Sequence, residues 1–193
     1  LFLGRDVAFM STIDPFVMKN IPYYLILGVF CGFVSLYFTR TTLSLEDKIK
    51  GIANPYKRWA LSALALGVLI YIFPPLFGEG YHALESLLTG NPVQGLDNSL
   101  FASLLNYKWF IPVFFAFVLI FKVFAMSFTN AGGGVGGTFG PTLIVGGIAG
   151  FILARVINLT GIHILPENNF VLVGMAGLMA GVMQAPMTAI FLI

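Results

Sequence analysis

Charged residues are scarce in this chain, and cysteine is nearly absent. Of the 193 residues only 9% are charged, whereas a soluble domain carries roughly 25%. So few charges cannot solvate a globule of this length, which argues against a soluble enzyme or a nucleic-acid-binding protein. The single Cys excludes a disulfide scaffold, and the net charge of +2 gives no reason to expect a polyanionic partner.

Apolar residues instead make up 58% of the chain, with 20 Phe among them, and this composition predicts a multi-pass membrane protein. A helix needs about 20 apolar residues to cross a bilayer. Residues 20–39 and 59–78 are uncharged runs of that length, and residues 109–128 form a third run with one charge. Residues 123–154 and 168–193 are also uncharged. We therefore expect five hydrophobic helical elements, several of them broken.

The connections between these elements differ in charge. Residues 40–58 carry five basic and two acidic side chains, a net charge of +3, whereas residues 79–108 have a net charge of −2. Basic connections remain preferentially in the cytoplasm, so we expect the loop 40–58 to be cytoplasmic. The acidic segment 79–108 is expected to lie outside, and residues 82–88 and 100–105 within it are predicted to form short interfacial or re-entrant helices. Residues 1–18 are expected to be a linker after a preceding helix, within a longer protein.

The clearest functional signal is a glycine-rich segment that begins at Asn130. It continues as Ala-Gly-Gly-Gly-Val-Gly-Gly-Thr-Phe-Gly-Pro and ends at Thr142. Glycines allow tight turns and Pro141 suits the first turn of a helix, so we predict a break at residues 131–137 and a new helix from about Thr138. The first N–H groups of such a helix have no acceptor within it and carry the positive end of its dipole.

These amides can bind an anion without a formal positive charge, and therefore weakly enough for the ion to leave. The candidates are Thr138 and Phe139 through their N–H groups, with the Phe139 ring as an apolar wall. Close helix packing is the alternative explanation for glycines in membrane helices. We expect packing for three pairs with small-xxx-small spacing, namely Gly28 with Gly32, Gly146 with Gly150, and Gly177 with Gly181.

Other polar residues give weaker signals. The sequence shows no Ser–His–Asp or Cys–His set and no carboxylate pair with catalytic spacing, so we expect no enzymatic activity, no cofactor and no metal. Cys31 is expected to pack as a small apolar side chain. His163 lies in a connection beside Pro166, where solvent is the expected partner. Lys122 either lends positive potential to an anion pathway, or snorkels or pairs within the bundle.

Three stretches resemble the CLC family of chloride channels and chloride/proton antiporters. Residues 136–141, Gly-Gly-Thr-Phe-Gly-Pro, are similar to the family's GxFxP element. Residues 174–193 are similar to its segment near the subunit interface, with Gln184 where many relatives carry Arg. Residues 22–28 are similar to the start of the long helix that begins the second half of the fold. Because the three occur in family order, the resemblance covers essentially the whole chain.

The resemblance implies a fold, which is an all-α membrane protein of tilted and broken transmembrane helices. Residues 1–193 would be a partial CLC-type transmembrane domain, in which residues 19–193 supply helices of the second half of an inverted repeat. The family assembles as homodimers in the lipid bilayer. Its gating and proton-transfer residues belong to regions outside this chain.

The implied function is transmembrane transport of chloride or a similar small anion, by a voltage-gated channel or by an antiporter that also carries protons. Backbone amides at a helix N-terminus would bind the anion, and no nucleic acid is expected as a partner. The alternative is a multi-pass transporter of an organic solute with a similar broken-helix site. The anion-binding residues that the family motif assigns are Gly137, Thr138, Phe139, Gly140 and Pro141.

Overall fold

The computed structural model describes residues 14–78, 80–90 and 109–192. Every regular element in these ranges is helical, as expected for an all-α protein. Short 3-10 turns, Met18–Asn20 and Pro74–Leu76, precede the first helix and follow the second. The α-helices in chain order are Ile21–Lys50 (α1), Pro55–Ile72 (α2), Tyr81–Leu88 (α3), Phe110–Gly132 (α4), Phe139–Thr160 (α5), Glu167–Met183 (α6) and Pro186–Leu192 (α7).

Among residues 14–78, 80–90 and 109–192, three helical stretches are long and apolar enough to cross a membrane. They are Met18–Lys50, Phe110–Gly132 and Phe139–Thr160, with mean hydropathies of 1.8, 2.3 and 1.9. The second and fifth predicted elements are present as α2 and α6, with 18 and 17 residues. Both are shorter than the ~20 residues of a straight crossing, and α2 also has two basic residues, Lys57 and Arg58, in its first turn.

The loop predicted over residues 40–58 is mostly helix, so this part of the prediction is wrong. α1 continues to Lys50, and only residues 51–54 connect it to α2. A helix ends where its sequence breaks it rather than where the membrane ends, and residues 40–50 contain no Gly or Pro that would stop α1. An ion pair at i,i+4 between Lys50 and Glu46, with an N–O distance of 2.6 Å, supports this last turn.

The predictions for the remaining connections have mixed outcomes. The helix expected at residues 82–88 is confirmed as α3, which begins one residue earlier. The second short helix, expected at residues 100–105, lies outside the described residues. Of the expected linker, residues 14–17 are irregular and a 3-10 turn begins at Met18, while residues 1–13 lie outside the described ranges.

α5 is the central helix of the core. Every residue from Thr142 to Phe151 is buried, so α5 is covered on all sides over these turns, and α6 packs against the side that carries Gly146 and Gly150. The two helices approach closely at glycines: a Cβ atom at Gly146 would lie 2.5 Å from the Gly174 carbonyl oxygen, and one at Gly150 would overlap the α6 backbone. The close packing expected for Gly146 and Gly150 is therefore confirmed.

α1 packs against α6 at the glycine pair Gly177 and Gly181. A Cβ at Gly177 would lie 3.3 Å from the Cys31 sulfur, and one at Gly181 would lie 2.7 Å from the Ser35 hydroxyl oxygen. Packing is thus confirmed for Gly177 and Gly181. A Cβ at either Gly28 or Gly32 would meet nothing within 4 Å among the described residues, so packing of the α1 pair stays a prediction.

Cys31 and His163, which the sequence left without a functional role, both lie at contacts between helices or their connections. Cys31 on α1 is 2% exposed and packs against Gly177 on α6, as a small apolar residue would. The expectation that His163 contacts solvent is wrong. Its Nε2 lies 2.9 Å from the Asn20 side-chain oxygen, and its ring stacks on Tyr23 with centroids 5.4 Å apart. This contact joins the start of α1 to the α5–α6 connection.

Candidate functional site

The glycine-rich segment connects the C-terminus of α4 to the N-terminus of α5. Gly133 takes a left-handed conformation with φ of 105°, which glycine adopts without the penalty of a Cβ. The Gly134 amide donates to the Thr129 carbonyl at 2.9 Å and closes the end of α4. Residues 134–138 lie outside any helix, and α5 begins at Phe139. The predicted break and the predicted helix start are both confirmed, with α4 extending slightly into the glycines.

The first turn of α5 has backbone N–H groups that the helix does not use. Its first helical hydrogen bond runs from the Thr142 amide to the Thr138 carbonyl at 3.0 Å. Since Pro141 has no N–H, the two donors between them are Phe139 and Gly140. Within the described part of the chain, the Thr138 side chain at the N-cap position makes no capping hydrogen bond. The dipole of α5 therefore ends in uncapped amides.

A cavity of about 510 Å³ adjoins this helix start. Four of the five predicted anion-binding residues line it, namely Gly137, Phe139, Gly140 and Pro141. The fifth, Thr138, is not part of the lining, and its hydroxyl group lies 3.5 Å from the Met183 sulfur at the end of α6. The Phe139 side chain is 37% exposed. The structure thus brings the predicted segment to a cavity, and Thr138, which was predicted to act through its N–H group, directs its hydroxyl group to Met183.

The other walls of the cavity come from α2, α4 and the turn after α2. The contributions of α2 and of the turn are apolar side chains and backbone. α4 contributes apolar residues and three polar ones, Lys122, Thr129 and Asn130. The result is a mostly apolar space with a few polar groups, the usual character of a small-ligand site.

Lys122 is buried in the middle of α4, with 3% of its surface exposed. Its ammonium group donates to the Leu76 carbonyl at 3.2 Å and to the Gly78 carbonyl at 2.8 Å. Pairing within the bundle, one of the predicted alternatives, is therefore confirmed, and snorkelling towards an interface is not what the side chain does. Sequence reasoning missed these partners because backbone carbonyls of a distant turn leave no signal in the sequence.

Asn130 lies where α4 meets the glycine segment, and sequence reasoning gave it no role. Its side-chain nitrogen donates to a Glu46 carboxylate oxygen on α1 at 3.5 Å. Its side-chain oxygen is buried without a hydrogen-bond partner among the described residues. A Cβ at Gly136 would lie 2.6 Å from that oxygen, so glycine at this position lets the segment pass close to the amide. A polar residue at the end of a long apolar helix was the available signal.

The whole chain, including this site, is similar to known proteins. The voltage gated chloride channel family matches residues 1–193. Chloride channel protein CLC-e of Arabidopsis thaliana is 30% identical over 208 residues, which cover 99% of this chain and 27% of the relative. The H(+)/Cl(-) exchange transporter ClcA of Salmonella paratyphi B is 28% identical over 177 residues, which cover 88% of this chain and 33% of that protein.

The chain therefore spans about a quarter to a third of the length of these relatives. The match nevertheless extends over every residue of this chain, including the glycine-rich segment and the start of α5. It agrees with the described part of the chain, where every regular element is helical and three helices are long and apolar enough to cross a membrane. This chain belongs to the voltage gated chloride channel family, the CLC family, and is part of an integral membrane protein.

Proposed function

We propose that this chain forms part of an anion pathway that transports chloride or a similar small anion across a membrane. The observation that carries the proposal is the uncapped N-terminus of α5 beside a cavity. Phe139 and Gly140 offer two amide donors there, and both residues line the cavity. Thr138 contributes its own amide at the N-cap position, as the sequence predicts.

Amide donors suit transport better than a fixed charge at the binding position. Moving a bare anion into a medium of low dielectric costs on the order of tens of kcal/mol, so a pathway needs polar groups that replace water. A helix N-terminus supplies about half an elementary charge together with oriented N–H groups. Because that charge is partial, the ion is stabilised but can still leave, which conduction requires.

The test uses the full-length protein that contains this chain, reconstituted in chloride-loaded vesicles. Chloride efflux and external pH are recorded together at both polarities of the membrane potential. We expect chloride efflux that protein-free vesicles do not show. Failure to move chloride or nitrate at either polarity would contradict the proposal.

The same recording distinguishes two modes of transport. The printed names of the relatives include both a chloride channel protein and an H(+)/Cl(-) exchange transporter, so family membership is compatible with either. Chloride efflux with proton uptake would identify an antiporter, and efflux at constant external pH would identify a channel. In neither case is a chemical conversion involved, and the protein would act as a transporter rather than an enzyme.

The alternative function, transport of an organic solute, would use the same cavity. Its volume of about 510 Å³ is large enough for a ligand bigger than chloride. The chloride names of the relatives favour the anion instead. Inhibition of chloride efflux by nitrate, but not by small neutral or zwitterionic solutes, would support the anion pathway over this alternative.

We also propose that the end of α1 and the start of α2 face the cytoplasm. The basic residues that support this orientation are Arg40, Lys48, Lys50, Lys57 and Arg58. A cysteine introduced at exposed Tyr56 should react with a membrane-impermeant maleimide only in inside-out vesicles. Labelling in right-side-out vesicles alone would reverse the orientation.

A homodimer is the proposed assembly, with residues 178–193 near the interface. On α7, Met187, Ile190 and Phe191 are 67%, 68% and 84% exposed, which leaves an apolar face that another surface can cover. Cross-linking through a cysteine at Ile190 should give a species of twice the monomer mass. A monomer in both cross-linking and light scattering would contradict this assembly.

A further inference from the structure

A buried lysine and a glycine turn form a second feature of the same cavity. Lys122 lies in α4 about two helical turns before Asn130, and both residues line the cavity together with the glycine-rich segment. A buried ammonium group is tolerated only where hydrogen bonds replace its hydration. Lys122 obtains two of them from carbonyls of the segment that follows α2.

We call this segment the lysine-held turn, and define it as Leu76–Gly78 together with Gly80. Gly78 and Gly80 are in left-handed conformations, with φ of 62° and 83°, which set the direction of the chain between α2 and α3. A Cβ at Gly80 would lie 3.3 Å from the Lys122 Nζ and 3.2 Å from a methyl group of Ile144 on α5. The turn is therefore seated between α4 and the second turn of α5.

The lysine-held turn also forms part of the cavity wall. Leu76, Phe77 and Gly78 line the cavity that Phe139 and Gly140 line at the N-terminus of α5. A displacement of the turn therefore changes the space available to an ion next to the amides. The described residues between Leu76 and α3 form no helix, and the Lys122 ammonium group donates to two carbonyls of this stretch.

We propose that Lys122 is a positioning residue for the anion pathway. It holds the turn as a wall of the cavity and thereby sets which anions fit beside the α5 amides. This inference rests on the proposed function, because it concerns the selectivity of that same pathway. It assigns the effect to the place of the turn rather than to the charge of Lys122 alone.

Two substitutions separate position from charge. Lys122→Met removes the charge and both hydrogen bonds at nearly constant length, whereas Lys122→Arg keeps the charge and the donors. Gly80→Ala retains Lys122 but presses a methyl group against its ammonium and against Ile144. Gly90→Ala is the matched control, because Gly90 has a similar φ of 76° and a Cβ there would meet no described residue within 4 Å.

The experiment measures the ratio of chloride to nitrate efflux from vesicles that contain the full-length protein. We expect Lys122→Met and Gly80→Ala to change this ratio in the same direction, by roughly tenfold, as the loss of hydrogen bonds to a buried charged group implies. Lys122→Arg should restore much of the wild-type ratio, and Gly90→Ala should leave it unchanged. A change with Lys122→Met but not with Gly80→Ala would show that charge alone acts, and would overturn the proposal.

A readout that does not need transport keeps the two proposals separate. Phe77 is 73% exposed, so a spin label at Phe77→Cys reports the mobility of the turn in the folded protein. Lys122→Met should raise this mobility and Lys122→Arg should not. Unchanged mobility would overturn the positioning role even in a protein that transports chloride. If Lys122→Met increased the mobility but the protein transported no anion, the result would support the positioning of the turn by Lys122 and contradict the proposed function.

Discussion

Gly150 on α5 lies so close to Phe170 on α6 that a Cβ atom at position 150 would overlap the Phe170 carbonyl group. The rigid backbone of a neighbouring helix cannot move aside as a flexible side chain can. The contact between these two helices therefore depends on the absence of a side chain at position 150.

Gly150→Ala should destabilise the protein because it forces α5 and α6 apart. Overpacking of a tight contact lowers the free energy of unfolding by about 1–3 kcal/mol. The matched control is Gly32→Ala in α1, where a Cβ would meet nothing within 4 Å among the described residues. There the better helix propensity of Ala should be neutral or stabilising by about 0.5–1 kcal/mol. Unfolding of the detergent-solubilised full-length protein in SDS would test both, and equal losses would contradict the packing argument.

The same two glycines show how far the sequence predicts this fold. Gly28–Gly32 and Gly146–Gly150 have the same spacing, yet only the second pair faces a neighbouring helix closely. Spacing places two glycines on one face of a helix, but the partner of that face is determined by tertiary packing. The helices themselves were predictable, because length and apolar composition determine which segments can cross a bilayer.

The candidate site was predictable in part for similar reasons. The helix start at Phe139 follows from local chemistry, since glycines end α4 and Pro141 fits the first turn of α5. The end of α1 was not predictable from charge, because basic residues indicate the side of the membrane and not where a helix stops. The partners of Lys122 are backbone carbonyls 44 and 46 positions away, and such groups are the same in every residue.

The ion pair between Arg155 and Glu167 links the end of α5 to the start of α6. The Arg155 Nη1 lies 3.0 Å from a Glu167 carboxylate oxygen, which also accepts from the Asn158 side chain at 3.1 Å. The two side chains of the pair are 29% and 18% exposed. Glu167→Gln should therefore lower the free energy of unfolding by only about 1 kcal/mol, because partial exposure screens the pair.

Salt dependence provides the check on this ion pair. Raising the salt concentration should lower the free energy of unfolding of the wild-type protein until it approaches that of the Glu167→Gln variant, because salt screens partly exposed charges. Glu85→Gln on the exposed face of α3 serves as the charge-matched control and should have little effect on stability. A difference between wild type and Glu167→Gln that does not depend on salt would show that the hydrogen bonds, rather than the charges, matter.

Asn130→Asp should impair anion transport by adding a carboxylate to the cavity wall. Asn130 lies 3.5 Å from a Glu46 carboxylate oxygen, so the new charge would repel both Glu46 and a passing anion. It would also sit at the negative end of the α4 dipole. We expect chloride efflux to fall by roughly tenfold, which corresponds to about 1.4 kcal/mol.

The pH dependence distinguishes charge from structure at this position. Protonation of the added carboxylate removes its charge, so efflux through Asn130→Asp should recover as the pH is lowered. Asn130→Ala removes the same hydrogen bond without adding a charge and should show no such recovery. Equal and pH-independent losses in both variants would indicate that the amide hydrogen bond, and not electrostatic repulsion, is responsible.

Thr138→Asp separates the stability of α5 from its capacity to bind an anion. Asp is among the best N-cap residues, and its carboxylate would accept from the amides of the first turn and complement the helix dipole. The variant should therefore be as stable as the wild type or more stable by about 1 kcal/mol. Its carboxylate would accept from the Gly140 amide at N2, because Pro141 at N3 has no N–H, and its charge would repel an anion there, so chloride efflux should fall by roughly tenfold or more.

Thr138→Asn is the neutral control, because it caps the same amides without a charge that repels the ion. It should have an intermediate effect on efflux, and Thr138→Ser, which nearly preserves the wild-type group, should have little. Efflux from vesicles and the apparent melting temperature of the solubilised protein measure the two effects separately. A helix that gains stability while the protein loses transport is the outcome that an anion site at the α5 N-terminus requires. If Thr138→Asp retained wild-type efflux, the amides of α5 would not face the ion, and the pathway would have to lie elsewhere in the protein.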